Sequence, residues 1–154
     1  MIALRDVVGR AASAWLEGAY LGWLAEIGAR RVDTGTARET LALMLASEDI
    51  AALLIERAGQ PTGFALVRTR PSCPLYRLED FYVLPAARRL GVGAAAARLL
   101  FDRFDGDWEI VSLQRDLVAT RFWRQVLQRY TEGHLAEQRF AGEIRYRFAS
   151  KGAR

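Results

Sequence analysis

The residues whose types and spacing best suit chemistry lie in one stretch, Asp80-Phe81-Tyr82-Val83-Leu84-Pro85-Ala86-Ala87-Arg88-Arg89-Leu90-Gly91-Val92-Gly93-Ala94. It reads as strand, basic loop, two glycines, helix. Gly91 and Gly93 lack a Cβ, so the backbone can turn sharply and approach a ligand closely. The N–H groups just beyond them have no intrahelical acceptor. Together with the positive end of the helix dipole, those amides form an anion cradle. Arg88 and Arg89 precede it, where guanidinium forks suit phosphate oxygens.

Other chemistries are poorly served. Gly91-Val92-Gly93-Ala94-Ala95-Ala96 also fits a dinucleotide fingerprint, but there the strand should run almost directly into the first glycine, whereas Pro85 and a basic loop intervene here. Cys73 and His134 are the only residues of their kinds. No intrachain disulfide can form, and a Cys/His zinc site falls short of four ligands, so no metal site is expected. Cys73, between prolines, reads as a loop thiol and His134 as a strand-edge residue.

Elements that must position this stretch follow from apolar periodicity. Val8 to Ile27 repeats at helical spacing, with Trp15, Tyr20 and Trp23 on the inward side. Thr36-Ala37-Arg38-Glu39 has the form of a capping box opening a second helix. Ile50–Ile55 and Gly63–Val67 flank the turn signal Ala58-Gly59-Gln60-Pro61 and read as an antiparallel hairpin. A strand over 76–84, a helix over 92–104 and a strand over 108–113 form a βαβ crossover, which must be parallel. Asp116 can cap a helix whose apolar face is Val118, Ala119, Phe122, Trp123, Val126, Leu127 and Tyr130. Segments 134–140 and 143–149 close the chain as paired strands, and residues 2–6 form a short first one. The expected fold is α/β, a central, mostly antiparallel mixed sheet with one parallel crossover and helices on both faces.

Size and charge agree with this. The chain of 154 residues reads as a single domain, 1–154. No apolar run approaches the roughly 20 residues of a membrane span, and the first residues lack signal-peptide order, so a cytoplasmic protein with no membrane partner is expected. The net charge is +4, and all but one of the 22 cations are arginine. They are scattered along the chain and do not form a stripe with interleaved aromatics, which argues against a nucleic-acid partner.

Arg88-x-x-Gly91-x-Gly93, preceded by a strand and Val83-x-Pro85, resembles the acetyl-CoA signature of the GNAT-type N-acetyltransferases. The element order is similar over nearly the whole chain. Asp116 to Trp123 sits where that superfamily carries an N-x-x-A-x-x-F-Y segment. It looks closest to a branch of predicted acetyltransferases with Phe-Trp-Arg at 122–124 followed by Tyr130-Thr131-x-Gly133. The resemblance implies direct transfer of an acetyl group from acetyl-CoA to a primary amine of a small molecule or peptide, by a monomer or homodimer. It implies that the main chain of Phe81, Tyr82 and Val83 pairs with the pantetheine arm. It also implies that the amides of Arg88, Arg89, Leu90, Gly91, Val92 and Gly93, with Ala94, hold the diphosphate.

Asp116 and Trp123 would lie against the cofactor in place of an asparagine and a tyrosine. Trp123 is no usable acid, which leaves Tyr130 or water to protonate the thiolate, or the thiolate to leave unassisted. It also leaves a second reading, a non-catalytic acyl-CoA-binding sensor or interaction module. An acceptor ammonium with a pKa of about 10 must lose a proton first. Asp80 is the favoured base and Glu79 the other candidate. Strand alternation sends the two to opposite faces, which a bulge would change.

Overall fold

The computed structural model describes residues 1–27, 33–70 and 75–153. Among the described residues seven strands form one sheet: β1 (Ile2–Asp6), β2 (Ile50–Arg57), β3 (Gln60–Thr69), β4 (Leu75–Val83), β5 (Asp107–Leu113), β6 (Ala136–Phe140) and β7 (Glu143–Ala149). Their order across the sheet is β1-β2-β3-β4-β5-β7-β6, and β4 with β5 is the parallel pair among antiparallel neighbours. Helices α1 (Arg10–Glu26) and α2 (Thr34–Ala46) cover one face, and α3 (Val92–Arg103) and α4 (Leu117–Thr131) the other. The expected mixed sheet with helices on both faces is the observed architecture.

β2 and β3 are buried on both sides, which is why they read as continuous apolar runs. Leu54, Phe64 and Leu66 pack under α1 and α2 with Leu16 and Leu41. Leu53, Ala65 and Val67 face α3 and α4, where Phe101, Trp108, Leu127, Tyr146 and Phe148 complete the larger core. Each of the large buried side chains stabilises the fold by about 1.5–3 kcal/mol.

Two local expectations are corrected. Helix α2 begins two residues before the expected box, because Asp33 is its cap: the Asp33 carboxylate accepts the Thr36 amide at 3.2 Å. The last hairpin starts at Ala136 and not at 134. His134 belongs to the turn that ends α4, its amide bonded to the Thr131 carbonyl at 3.0 Å. Cys73 lies outside the described residues.

Candidate active site

Strands β4 and β5 pair only at their starts, Leu75–Arg77 against Asp107–Glu109. Beyond Arg77, β4 continues to Val83 with β3 on one side and, among the described residues, no strand on the other. The Leu84 amide bonds the Thr62 carbonyl at 2.8 Å, which fixes the alternation: the main chain of Tyr82 turns toward β3, and that of Phe81 and Val83 toward the gap. The sheet thus carries an exposed strand edge in its middle, a place where an extended group can add main-chain hydrogen bonds.

The chain leaves β4 through a single 3₁₀ turn, Pro85–Ala87, and a tight turn into α3. Gly91 caps the helix at φ 74°, a left-handed position that glycine occupies without strain. No side chain caps α3, and its first bond runs from the Ala95 amide to the Gly91 carbonyl at 3.1 Å. The amides of Val92, Gly93 and Ala94 therefore lie at the positive end of the dipole with no intrahelical acceptor. Val92 is buried among Ile55, Val83, Ala87 and Ala96 and pins the start of the helix. Its contribution to a cradle, like that of half-exposed Leu90, is its amide.

Gly93 has a different reason from the one its spacing suggests. A Cβ there would meet the Phe122 ring at 3.0 Å, so the glycine lets α3 and α4 close on each other.

Arg88 is the larger departure, because its guanidinium does not face the cradle. Its Nε donates to the Val83 carbonyl at 3.0 Å, Nη2 donates to Glu26 Oε2 at 2.8 Å, and Nη1 lies 2.5 Å from Glu26 Oε1. Arg89 is exposed at φ 66°. Nothing in the sequence links Glu26 to Arg88, since the pair spans 62 residues.

The acidic pair is reorganised by a bulge. Leu66 opposes Asp80 and Val67 opposes Leu78, which leaves Glu79 as the extra residue on β4. Alternation no longer separates the two carboxylates. Glu79 pairs with Arg68 at 2.7 Å, and Asp80, opposite Leu66, lies on the same α1 side. Burial raises the Asp80 pKa to about 6, and the neighbouring Glu79 charge adds to the rise. The Tyr20 hydroxyl is also pushed up, by burial and then by the Asp80 charge. Asp80 is therefore a half-buried carboxylate whose protonation changes just below neutral pH, beside the gap.

Three expected site residues have other work. Asp116 accepts the Ala119 amide at 3.0 Å as the cap of α4. Trp123 is 7% exposed and packs its ring 5.3 Å from Phe81 and 4.8 Å from Phe122, walling the α4 side of β4. Tyr130 is 2% exposed, donates to Asp102 at 2.7 Å and accepts the Lys151 amide at 3.0 Å. It is a buried tie between α4, α3 and the chain end, not an acid at the gap.

Sequence reasoning missed a cleft of about 200 Å³ that runs from Ala94 between α3 and α4, lined by Arg98, Phe122, Gln125, Arg129 and Lys151. Its three cations come from three elements, so no local motif marks them. Among the described residues no group of His, Cys, Asp and Glu could hold a metal, and no helix is long and apolar enough to cross a membrane.

The family model described as the acetyltransferase (GNAT) family matches residues 14–127. The chain belongs to that family. No curated relative matches it in sequence. Solved GNAT-family structures share its fold. An acetyltransferase from Thermus thermophilus is 15% identical with a TM-score of 0.74, 96% of each chain covered. The ribosomal-protein-S18-alanine N-acetyltransferase from Escherichia coli is 13% identical at 0.65, covering 97% of this chain and 94% of that one. The spermidine N-acetyltransferase from Vibrio cholerae, in complex with CoA and spermine, is 9% identical at 0.71, covering 97% and 95%. In this GNAT chain β4 carries both the Asp80 carboxylate and the open strand edge, and the turn that leaves β4 leads to the uncapped start of α3.

Proposed function

We propose that this GNAT protein is an N-acetyltransferase that moves an acetyl group from acetyl-CoA directly to a primary amine of a small molecule or peptide. The observation that carries the reading is the uncapped amide array of α3 opening beside a strand edge in mid-sheet. A diphosphate fits the first feature and an extended amide-bearing arm the second. The space on the Cβ side of Gly91 is open, so no side chain blocks the approach.

In this reading the amides from Arg89 to Ala94 hold the diphosphate, the Arg88 amide being bonded to the Pro85 carbonyl at 3.2 Å, and the main chain of Phe81 with the Val83 amide holds the arm. The cleft lined by Arg98, Arg129 and Lys151 takes the distal phosphate. The bound cofactor supplies an activated thioester carbonyl. Asp80, ionised above about pH 6, takes a proton from the acceptor ammonium. Glu79, paired with Arg68, is not the base; its charge keeps Asp80 more basic. Trp123 has no acidic proton and the Tyr130 hydroxyl is directed to Asp102, so water returns the proton to the leaving thiolate.

The solved enzymes named for spermidine and for a ribosomal-protein alanine act on amines, which supports the acceptor class. The test is release of free thiol from acetyl-CoA, followed while amines and peptides are added one by one. Acceleration by an amine supports the transferase. CoA binding with no amine-dependent release in any arm would favour the non-catalytic acyl-CoA-binding module.

A further inference from the structure

The turn that opens α3 is strained at a residue with a side chain. Arg89 sits at φ 66°, a left-handed conformation that a Cβ disfavours. Such a conformation persists where surrounding contacts over-determine it. Here they converge on the preceding residue. The Arg88 guanidinium forks onto both oxygens of Glu26, its Nε holds the Val83 carbonyl, and its Cζ lies 5.4 Å over the Tyr82 ring. The Tyr82 hydroxyl donates to the same carboxylate at 2.8 Å.

Both partners are exposed, at 42% and 39%, and isolated surface ion pairs contribute little; what distinguishes this one is a two-pronged fork within a network that includes the Tyr82 hydroxyl and the Val83 carbonyl. The Arg88 fork and the Tyr82 hydroxyl together hold the Glu26 carboxyl below the usual carboxylate range. Glu26 is the last residue of α1, so the network ties the helix on the Asp80 face to the turn that begins the amide array.

We propose that Glu26 is a positioning residue for the cofactor turn: it holds Arg88 as a strut against β4, keeps the strained turn in its cradle shape, and makes α1 and the turn one unit. Arg88 then serves as an anchor and not as a phosphate ligand. Occupancy of the cradle is felt at the end of α1, and by linkage a change at α1 alters cradle affinity equally. The proposal rests on the reading that this turn takes the CoA diphosphate.

The test is calorimetric titration of CoA into the wild type, Glu26→Gln, Arg88→Gln, Arg88→Lys and the Glu26→Gln/Arg88→Gln double variant at one ionic strength. Hydrogen exchange at residues 22–27 is followed with and without CoA. Each single variant should weaken CoA about tenfold, Arg88→Lys included, because lysine cannot fork. The double variant should be no worse than either single one. CoA should slow exchange at 22–27 in the wild type and not in Glu26→Gln. Wild-type or tighter CoA binding by Glu26→Gln, or wild-type binding by Arg88→Lys, overturns the strut, since Arg88 would then act by charge on the phosphate. A wild type that binds no CoA removes the functional reading itself, and the proposal with it.

Discussion

In the proposed reaction Asp80 takes the acceptor proton, and its burial comes at a cost to stability. A carboxyl whose pKa rises from 3.8 to about 6 on folding binds its proton more tightly in the native state. Stability therefore falls as the pH rises between those two values, by about 3 kcal/mol in all. Asp80→Asn should melt at a higher temperature than the wild type at pH 7.5 and show no advantage at pH 3.5; scanning calorimetry at both pH values checks this. Glu79→Gln removes a charge that raises the Asp80 pKa, so the acidic limb of its rate profile should move to lower pH while CoA affinity stays the same. Tyr130→Phe loses the bond to Asp102 and the acceptor for the Lys151 amide, which should lower stability by about 1–3 kcal/mol and leave kcat near wild type. A large loss of kcat with an unchanged melting temperature would return Tyr130 to the reaction.

At the scale of elements, Gly91 and Gly93 look alike in the sequence and do different things. Gly91→Val puts a branched side chain at φ 74° in open space, so the turn is strained and the amide array displaced. CoA affinity should collapse in a protein that still folds. Gly93→Ala presses on the Phe122 ring and should mainly cost stability, about 1–3 kcal/mol. Thermal melts and calorimetry on both variants separate the two effects; equal loss of CoA binding in the two would contradict the assignment.

Such distinctions mark where the sequence stops being legible. The order of strands and helices could be read because each has a clean apolar period, and the strand-turn-helix that carries the cradle is local. The Glu79 bulge, the Glu26–Arg88 fork and the Arg98, Arg129 and Lys151 cleft depend on residues brought together from distant segments. Asp116, Trp123 and Tyr130 lie in the segment where the family resemblance puts site residues, but capping and core packing engage their side chains.

Across the whole molecule, the gap between β4 and β5 is the consequence of two sheet halves that share only three residue pairs. The halves are held together by the core on the α3 and α4 face, where Leu53, Ala65 and Val67 pack with Trp108, Tyr146 and Phe148, and α3 and α4 close one side of the opening. A ligand seated there bridges the halves and should stabilise the domain as a unit. CoA at 100 times its dissociation constant should add about 2.7 kcal/mol, or a rise of roughly 5–11 °C for a domain of this size. NAD and ATP, which lack the pantetheine arm, should add far less. A shift with NAD and none with CoA would contradict the cradle-and-gap assignment.

The central claim, that Asp80 takes the acceptor proton beside a cofactor held by α3 and β4, is tested most directly by the rate of amine-dependent thiol release from acetyl-CoA against pH, for wild type and Asp80→Asn with one accepted amine. The wild type should lose activity as the pH falls through about 6. Asp80→Asn should bind CoA normally, run about 10²- to 10⁴-fold slower and lack that limb. A wild-type rate with an unchanged acidic limb in Asp80→Asn would contradict the account.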